Sequence, residues 1–209
     1  MTMFENENPN VMPLADDGTE GGGTSINYLT YPTKVMNITQ SYDGSYNHYQ
    51  NSEGDLVDYP IDEACSDTGR DWFYCPCNEM VVKRIYTSGA NTIWLESTTP
   101  VVTPSGRFYV TIMVCHPEDE DFSSLYNGKT FCRNERMFRE GNDGTASTGN
   151  HFHISVGKGH IDGNGWKQND NKAWVLTSTG ASLKPEQAFY LDRSFTSITN
   201  DAGLDFITL

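Results

Sequence analysis

The sequence predicts a mainly β fold, an antiparallel sheet of sandwich-like build with long loops and few short helices. Three observations carry that expectation. Apolar and polar residues alternate over short runs, the signature of half-buried strands. Turn formers and aromatics are abundant, with 19 glycines, 11 tyrosines and 4 tryptophans against an apolar fraction of only 36%. No segment carries a long amphipathic heptad pattern. At 209 residues the chain is long enough for one sizeable core with small appendages.

Residues 1–33 read as an acidic, Gly-rich N-terminal extension. The run from Asp16 to Ser25 is too polar to order itself alone, so its own domain or a partner chain would have to order it. Residues 34–160 hold the main strands. Val35 to Gln40 alternates as a first strand, and the turn-rich loop Ser41 to Asn47 delivers His48. In Tyr59-Pro60-Ile61-Asp62 the alternation sends Ile61 into the core and Asp62 outward. Phe73 to Tyr86 reads as a strand pair. Its Cys75-Pro76-Cys77 lacks the Cys-x-x-Cys spacing of a zinc ribbon, so both thiols are assigned to packing.

Asn91 to Glu96 is a further strand, followed by a turn around Pro100 to Gly106. Phe108 to His116 is a long alternating strand that ends in a histidine. Gly141 to Val156 opens on a glycine-punctuated turn and then alternates strictly. A strand there places His151, His153 and Ser155 on one face, with Phe152, Ile154 and Val156 on the other. In residues 161–209, Trp174 to Leu176 and Phe189 to Leu191 read as short strands with a helical turn at Lys184 to Ala188. No internal repeat of the kind seen in wall-binding modules is present, so this part completes the domain or docks on it.

The histidine strand is the chemically informative element. Residues two apart on a strand stand roughly 6.5–7 Å apart, and a zinc–nitrogen bond is about 2.0 Å. One imidazole can therefore hold a metal while its neighbour stands beside the open position. A bare His-x-His is equally what a pair of surface histidines on an edge strand would show.

Charge and processing signals narrow the function classes. With 28 acidic against 14 basic residues the formal net charge is −14, which argues against nucleic-acid binding. Met1 to Asp17 has no basic and apolar leader, and no apolar run approaches a membrane span. The expectation is synthesis in the cytoplasm without a signal peptide. The odd, irregularly spaced set Cys65, Cys75, Cys77, Cys115 and Cys132 reads as reduced, mostly buried thiols.

Gly144, Thr148, Gly149, His151, Phe152 and His153 resemble the signature strand of the lysostaphin-like zinc endopeptidases that cut peptidoglycan cross-links. Asn150 stands where that family commonly has proline, and Phe152 where it has leucine. Upstream, the Ile-x-Gln strand with its Gly-Ser loop to His48, the Tyr-x-Ile-Asp62 element, the strand ending at His116 and Gly128-Lys129-Thr130-Phe131 occur in the family's order, over roughly residues 35–158.

The resemblance implies a lysostaphin-type peptidase fold with Zn²⁺ held by His48, Asp62 and His153, and with His116 and His151 as catalytic histidines. His48 and Asp62 lie 14 positions apart, farther than in classical members, so Asp55 and Asp58 compete with Asp62 as ligand. Three protein ligands with an open position mark a catalytic rather than a structural zinc. The near-neutral pKa of imidazole suits His151 and His116 to take a proton or steady an oxyanion, in an order the residues leave open.

The implied activity is hydrolysis of the cross-linking or stem peptides of bacterial peptidoglycan. The implied setting is a bacteriophage, either in the virion tail, with the N-terminal extension contacting other tail proteins, or as a lysin that a holin releases to the wall. The competing expectation is a catalytically silent structural or tail-plug protein that keeps the fold. Loops Tyr49 to Asp58, Glu118 to Asn127 and Arg133 to Ala146 would wall the substrate groove.

Overall fold

A computed structural model describes residues 25–43, 58–66, 69–144, 149–168 and 174–209. In β1 (Val35–Gln40) Met36 and Ile38 point inward, as the alternation requires. The chain continues through β2 (Ile61–Glu63), β3 (Trp72–Tyr74), β4 (Glu79–Tyr86), β5 (Thr92–Ser97), β6 (Val101–Thr103), β7 (Gly106–Phe108) and β8 (Val110–Cys115). A one-turn helix, α1 (Asp119–Phe122), precedes β9 (Thr130–Cys132), β10 (Arg136–Arg139) and β11 (Phe152–Lys158). Then come β12 (Ile161–Gln168), β13 (Trp174–Ser178), β14 (Ser182–Leu183), a second one-turn helix α2 (Pro185–Ala188) and β15 (Ser197–Asn200). The architecture is mainly β with few, short helices, as the turn-rich alternating sequence requires.

Among the described residues the main sheet runs β15-β1-β2-β11-β8-β5-β4-β9, with β14 also paired to β11. β15 joins β1 in parallel, and the other ladders are antiparallel. β2 and β14 share one side of β11, β2 taking Phe152 to Ile154 and β14 taking Val156 and Gly157. Three two-stranded ribbons surround this sheet, β3–β10, β12–β13 and β6–β7.

The inner face of β11 presents Phe152, Ile154 and Val156 to the main core, which also takes Ile61, Ile112, Cys75 and Cys77. Phe73 and Phe138 of the β3–β10 ribbon stack at 5.1 Å, and both rings meet Phe152 edge-on at 5.5 and 5.9 Å. On the outer face the β12–β13 hairpin covers a smaller cluster of Trp94, Met113 and Leu176. The Trp94 indole Nε1 donates to the Gly165 carbonyl at 2.9 Å, which locks the hairpin down.

Three local expectations change. The two strands in Phe73 to Tyr86 do not pair with each other, because Cys75 to Asn78 carries the chain across the core and β3 finds β10 while β4 finds β5 and β9. The run from Phe108 to His116 is broken, with β7 ending at Phe108 and β8 starting at Val110. Val110 to Val114 are all buried, because the sheet is covered on both sides there. Phe189 to Leu191 forms no strand, and Tyr190 and Leu191 make single bridges to Thr30 and Thr208.

Within residues 25–33, Leu29 and Tyr31 belong to the main core. Both are fully buried, and their amides donate to Val102 and Tyr190 carbonyls. Ile26 to Tyr31 supplies the apolar side chains that the preceding Gly-rich run lacks. Among the described residues no helix is long and apolar enough to cross a membrane.

Candidate metal and catalytic centre

The register of β11 assembles the centre. His153 lies opposite Asp62 on β2 and opposite Cys115 on β8. Directly opposed residues of neighbouring strands share a face, so the three side chains converge on the outer side of the sheet. The His153 Nδ1 stands 3.0 Å from Asp62 Oδ1, and His151 Nε2 lies 3.9 Å from the same oxygen. Neighbouring donor atoms on a tetrahedral zinc with bonds of about 2.0–2.1 Å stand about 3.3 Å apart. The 3.0 Å between His153 and Asp62 lies close to that value, and imidazole with carboxylate is a zinc donor set, so Asp62 and His153 fit two positions around such an ion.

His151 sits one residue before β11, its amide donating to the Gly141 carbonyl at 3.1 Å. Its Nδ1 meets the Gly149 carbonyl at 2.8 Å. A carbonyl only accepts, so Nδ1 carries the hydrogen and Nε2 is the acceptor nitrogen of the neutral ring. The glycine-punctuated approach thus sets a tautomer as well as a turn.

His116 follows β8 in the left-handed region, φ 69°, which histidine tolerates better than most residues. Its amide donates to the Asn91 carbonyl at 2.8 Å. This backbone turn brings its ring within 4.7 Å of the His151 ring and 6.5 Å of the His153 ring, centroid to centroid. The His116 Nδ1 donates to the Asp143 carbonyl, again leaving Nε2 as the acceptor. Two glycines make the room. A Cβ at Gly141 would meet the His116 carbonyl oxygen at 2.7 Å, and one at Gly144, whose φ is +114°, would press on the His116 ring at 3.3 Å.

The imidazoles differ electrostatically. Burial pushes His116 down to about 4, with His151 and His153 beside it acting in the same sense. Burial also acts to lower His153, but the hydrogen bond and charge of Asp62, with the charge of Asp58, outweigh it and raise the group. Cys115 is pushed up to about 12 by burial, so it borders the centre as a neutral thiol at neutral pH.

The competing aspartates separate by environment. Asp58 is 3% exposed, and its oxygens accept from Ser155 Oγ at 2.8 Å, the Leu176 amide at 2.9 Å and the Tyr59 amide at 2.9 Å. It ties the approach to β2 onto β11 and β13. Asp62 instead stands at the partly exposed end with the histidines. Asp55 and His48 lie outside the described residues. His160 lies elsewhere, 3.1 Å from Glu96 through Nδ1 and with its ring tilted against Tyr109 at 4.8 Å.

Asn91 and Asp143 have supporting roles that no motif marks. Asn91 is 3% exposed, and its side chain donates to the Pro117 carbonyl at 3.1 Å and to Asp119 at 2.6 Å. The Asp143 carboxylate accepts the Asn91 amide at 2.9 Å while its carbonyl holds His116. Neither residue had a spacing to reveal it, because each reaches His116 through its own backbone carbonyl while its side chain holds the surrounding loops.

No family model matches the chain. The chain is 30% identical over 198 residues to "Morphogenesis protein 1" of Bacillus phage B103, an alignment covering 91% of this chain and 47% of that protein. It therefore spans about half the length of that relative. Among solved structures it is similar to one described as a zinc containing peptidase from Vibrio cholerae, at 15% identity and a TM-score of 0.42, over 62% of this chain and 36% of that one.

Proposed function

We propose that this chain is a zinc-dependent endopeptidase that hydrolyses peptide cross-links or stem peptides of bacterial peptidoglycan, encoded by a bacteriophage. The observation that carries the reading is the convergence of Asp62, His153, His151 and His116 on one outer end of the sheet, with a 3.0 Å contact between Asp62 and His153. His48, Asp62 and His153 would hold the ion. When bound, zinc acidifies water and polarises the scissile carbonyl.

The remaining steps belong to the two helper histidines. Each has its Nδ1 hydrogen engaged by a backbone carbonyl, so Nε2 is the atom that accepts a proton, as a general base requires. Once protonated there, the same ring is a donor suited to a developing oxyanion. The 4.7 Å separation of the two rings lets both serve one reacting carbonyl.

The similarity to a phage morphogenesis protein supports a phage setting, in the virion tail or as a lysin released to the wall. The word morphogenesis in that relative's name also favours a second reading, a structural or tail-plug protein without turnover.

Elemental analysis for zinc, run beside release of new amino groups from a panel of purified cell walls, separates the two. One zinc at this centre with cleavage is expected. The His153→Ala variant should lose both, and His151→Ala should keep zinc and lose turnover. A wild-type protein that is loaded with zinc but inert on every wall, and present in purified virions, establishes the structural reading.

A further inference from the structure

A second group of metal-ligating side chains lies on the far side of β2 from the histidines. Cys65 follows β2 by two residues, Asp71 immediately precedes β3 and Glu140 immediately follows β10. One ligand atom from each lies within 4.8 Å of the other two. Cys65 and Glu140 are 1% and 0% exposed. The Cys65 backbone is in the left-handed region at φ 47°, a conformation that costs a non-glycine residue free energy.

The hydrogen bonds divide this cluster from its neighbours. Glu63, also buried, is supplied by the Asn37 and Cys65 amides, each at 2.8 Å, and by the Tyr31 hydroxyl at 2.5 Å. Glu140 Oε1 accepts the Asp71 amide at 3.1 Å, whereas Glu140 Oε2 is buried with no hydrogen-bond partner among the described residues. The arginines next in sequence to the two acids pair elsewhere, Arg70 with Glu118 at 2.5 Å and Arg139 with Asp121 at 2.7 Å. No ion pair with lysine or arginine reaches Cys65, Asp71 or Glu140 among the described residues. Asp71 is only partly buried and its Oδ2 accepts from the Ser66 amide at 2.9 Å and from the Ser66 hydroxyl, while burial pushes the Glu140 carboxyl up to about 8, so a proton neutralises it in the metal-free protein and a divalent ion would take that proton's place.

We infer that Cys65, Asp71 and Glu140 form a second zinc site, its fourth position taken by water, that ties the β3–β10 ribbon to the β2 end of the main sheet. One thiolate with two carboxylates suits zinc among the common ions. Zinc–sulfur and zinc–oxygen bonds of about 2.3 and 2.0–2.2 Å draw such ligands to about 3.3–3.7 Å from one another, so binding closes the cluster by no more than about 1.5 Å. Coordination deprotonates the Cys65 thiol and the Glu140 carboxyl, releasing those protons to solvent. The ion would brace the peptide-bond ladder behind the histidines, since Asp62 is three residues from Cys65 and Gly141, next to Glu140, bridges His151.

The test loads metal-free full-length protein with Co²⁺ and reads the near-ultraviolet sulfur-to-metal charge-transfer absorption, which imidazole and carboxylate ligands do not give. The band is expected in the wild type, in His153→Ala and in Cys115→Ser, and is expected to vanish in Cys65→Ser. Glu140→Gln, which keeps the volume, should weaken Co²⁺ binding at this band by about 10-fold or more while leaving the circular dichroism unchanged. No band at saturating Co²⁺, or a band unaltered by Cys65→Ser, overturns the site. Should Cys65→Ser fail to fold, Glu140→Gln decides, and an unchanged affinity overturns it. Failure of the peptidase reading alone would leave one ion per chain with the band, whereas failure of this site alone would leave one ion without it.

Discussion

His153 and Ser155 stand two residues apart on the same outer face of β11, yet one borders an opening and the other is sealed. Ser155 is fully buried beneath β13, its hydroxyl committed to Asp58. His153 faces Asp62 at the end that the β12–β13 hairpin does not cover. The same alternation therefore yields a reactive end and a packed end, and the position of the hairpin decides which is which. A carboxylate serves each end, Asp62 beside imidazoles and Asp58 beneath neutral donors.

The largest break in this arrangement comes from the face that both ends share. Phe152, between His151 and His153, is fully buried against Phe73 and Phe138. Phe152→Ala should lower unfolding free energy by about 3–5 kcal/mol, read from urea denaturation. If the loss were under about 1 kcal/mol, the inner face would not be what holds the histidine strand in place.

The two aspartates should respond oppositely. Asp62→Asn is expected to cut activity on cell walls by more than about 100-fold with little change in the unfolding midpoint. Asp58→Asn should cost about 1.5–3 kcal/mol of stability, because an amide nitrogen would replace one oxygen that now accepts from Ser155 and Leu176, or from Tyr59. Zinc content measured on both folded variants checks the division, and an Asp58→Asn that has lost this centre's ion beside an Asp62→Asn that keeps it would reverse it.

Much of this division could be read before the structure, and the reason is periodicity. The alternation through Phe152, Ile154 and Val156 places His153 and Asp62 outward without further information. What the sequence does not carry is coverage. Ser155 obeys the same period as His153 and looks equally exposed, because the hairpin that seals it lies far along the chain. β8 hides its alternation for the same reason, being covered on both faces. His116 and Asn91 meet through backbone groups, which leave no trace in residue type.

A smaller effect tests the reactive end alone. Gly144 gives the His116 ring its space at φ +114°, so Gly144→Ala adds both backbone strain and a contact at 3.3 Å. The expected cost is about 1–3 kcal/mol. Because the methyl presses on His116 rather than on Asp62 or His153, kcat should fall while zinc content holds. Loss of zinc along with activity would show that the glycine supports the ligands instead.

The smallest effect belongs to the packed end and tests whether the hairpin is an independent cover. The Trp94 ring is 1% exposed and its indole N–H is the donor that holds the Gly165 carbonyl, while the Arg84 guanidinium lies 5.6 Å from the ring centre. Trp94→Phe keeps an aromatic ring in the cluster with Met113 and Leu176 but removes that donor and leaves the buried Gly165 oxygen without it. The expected loss is about 1 kcal/mol in unfolding free energy, with faster hydrogen exchange confined to β12 and β13. Activity should stay near wild type, because the site's side chains contact β2, β8 and the loop through Asp143 rather than the hairpin. A fall in activity matching that of Gly144→Ala would mean that the cover and the centre act as one unit, with Asp58 as the tie between them.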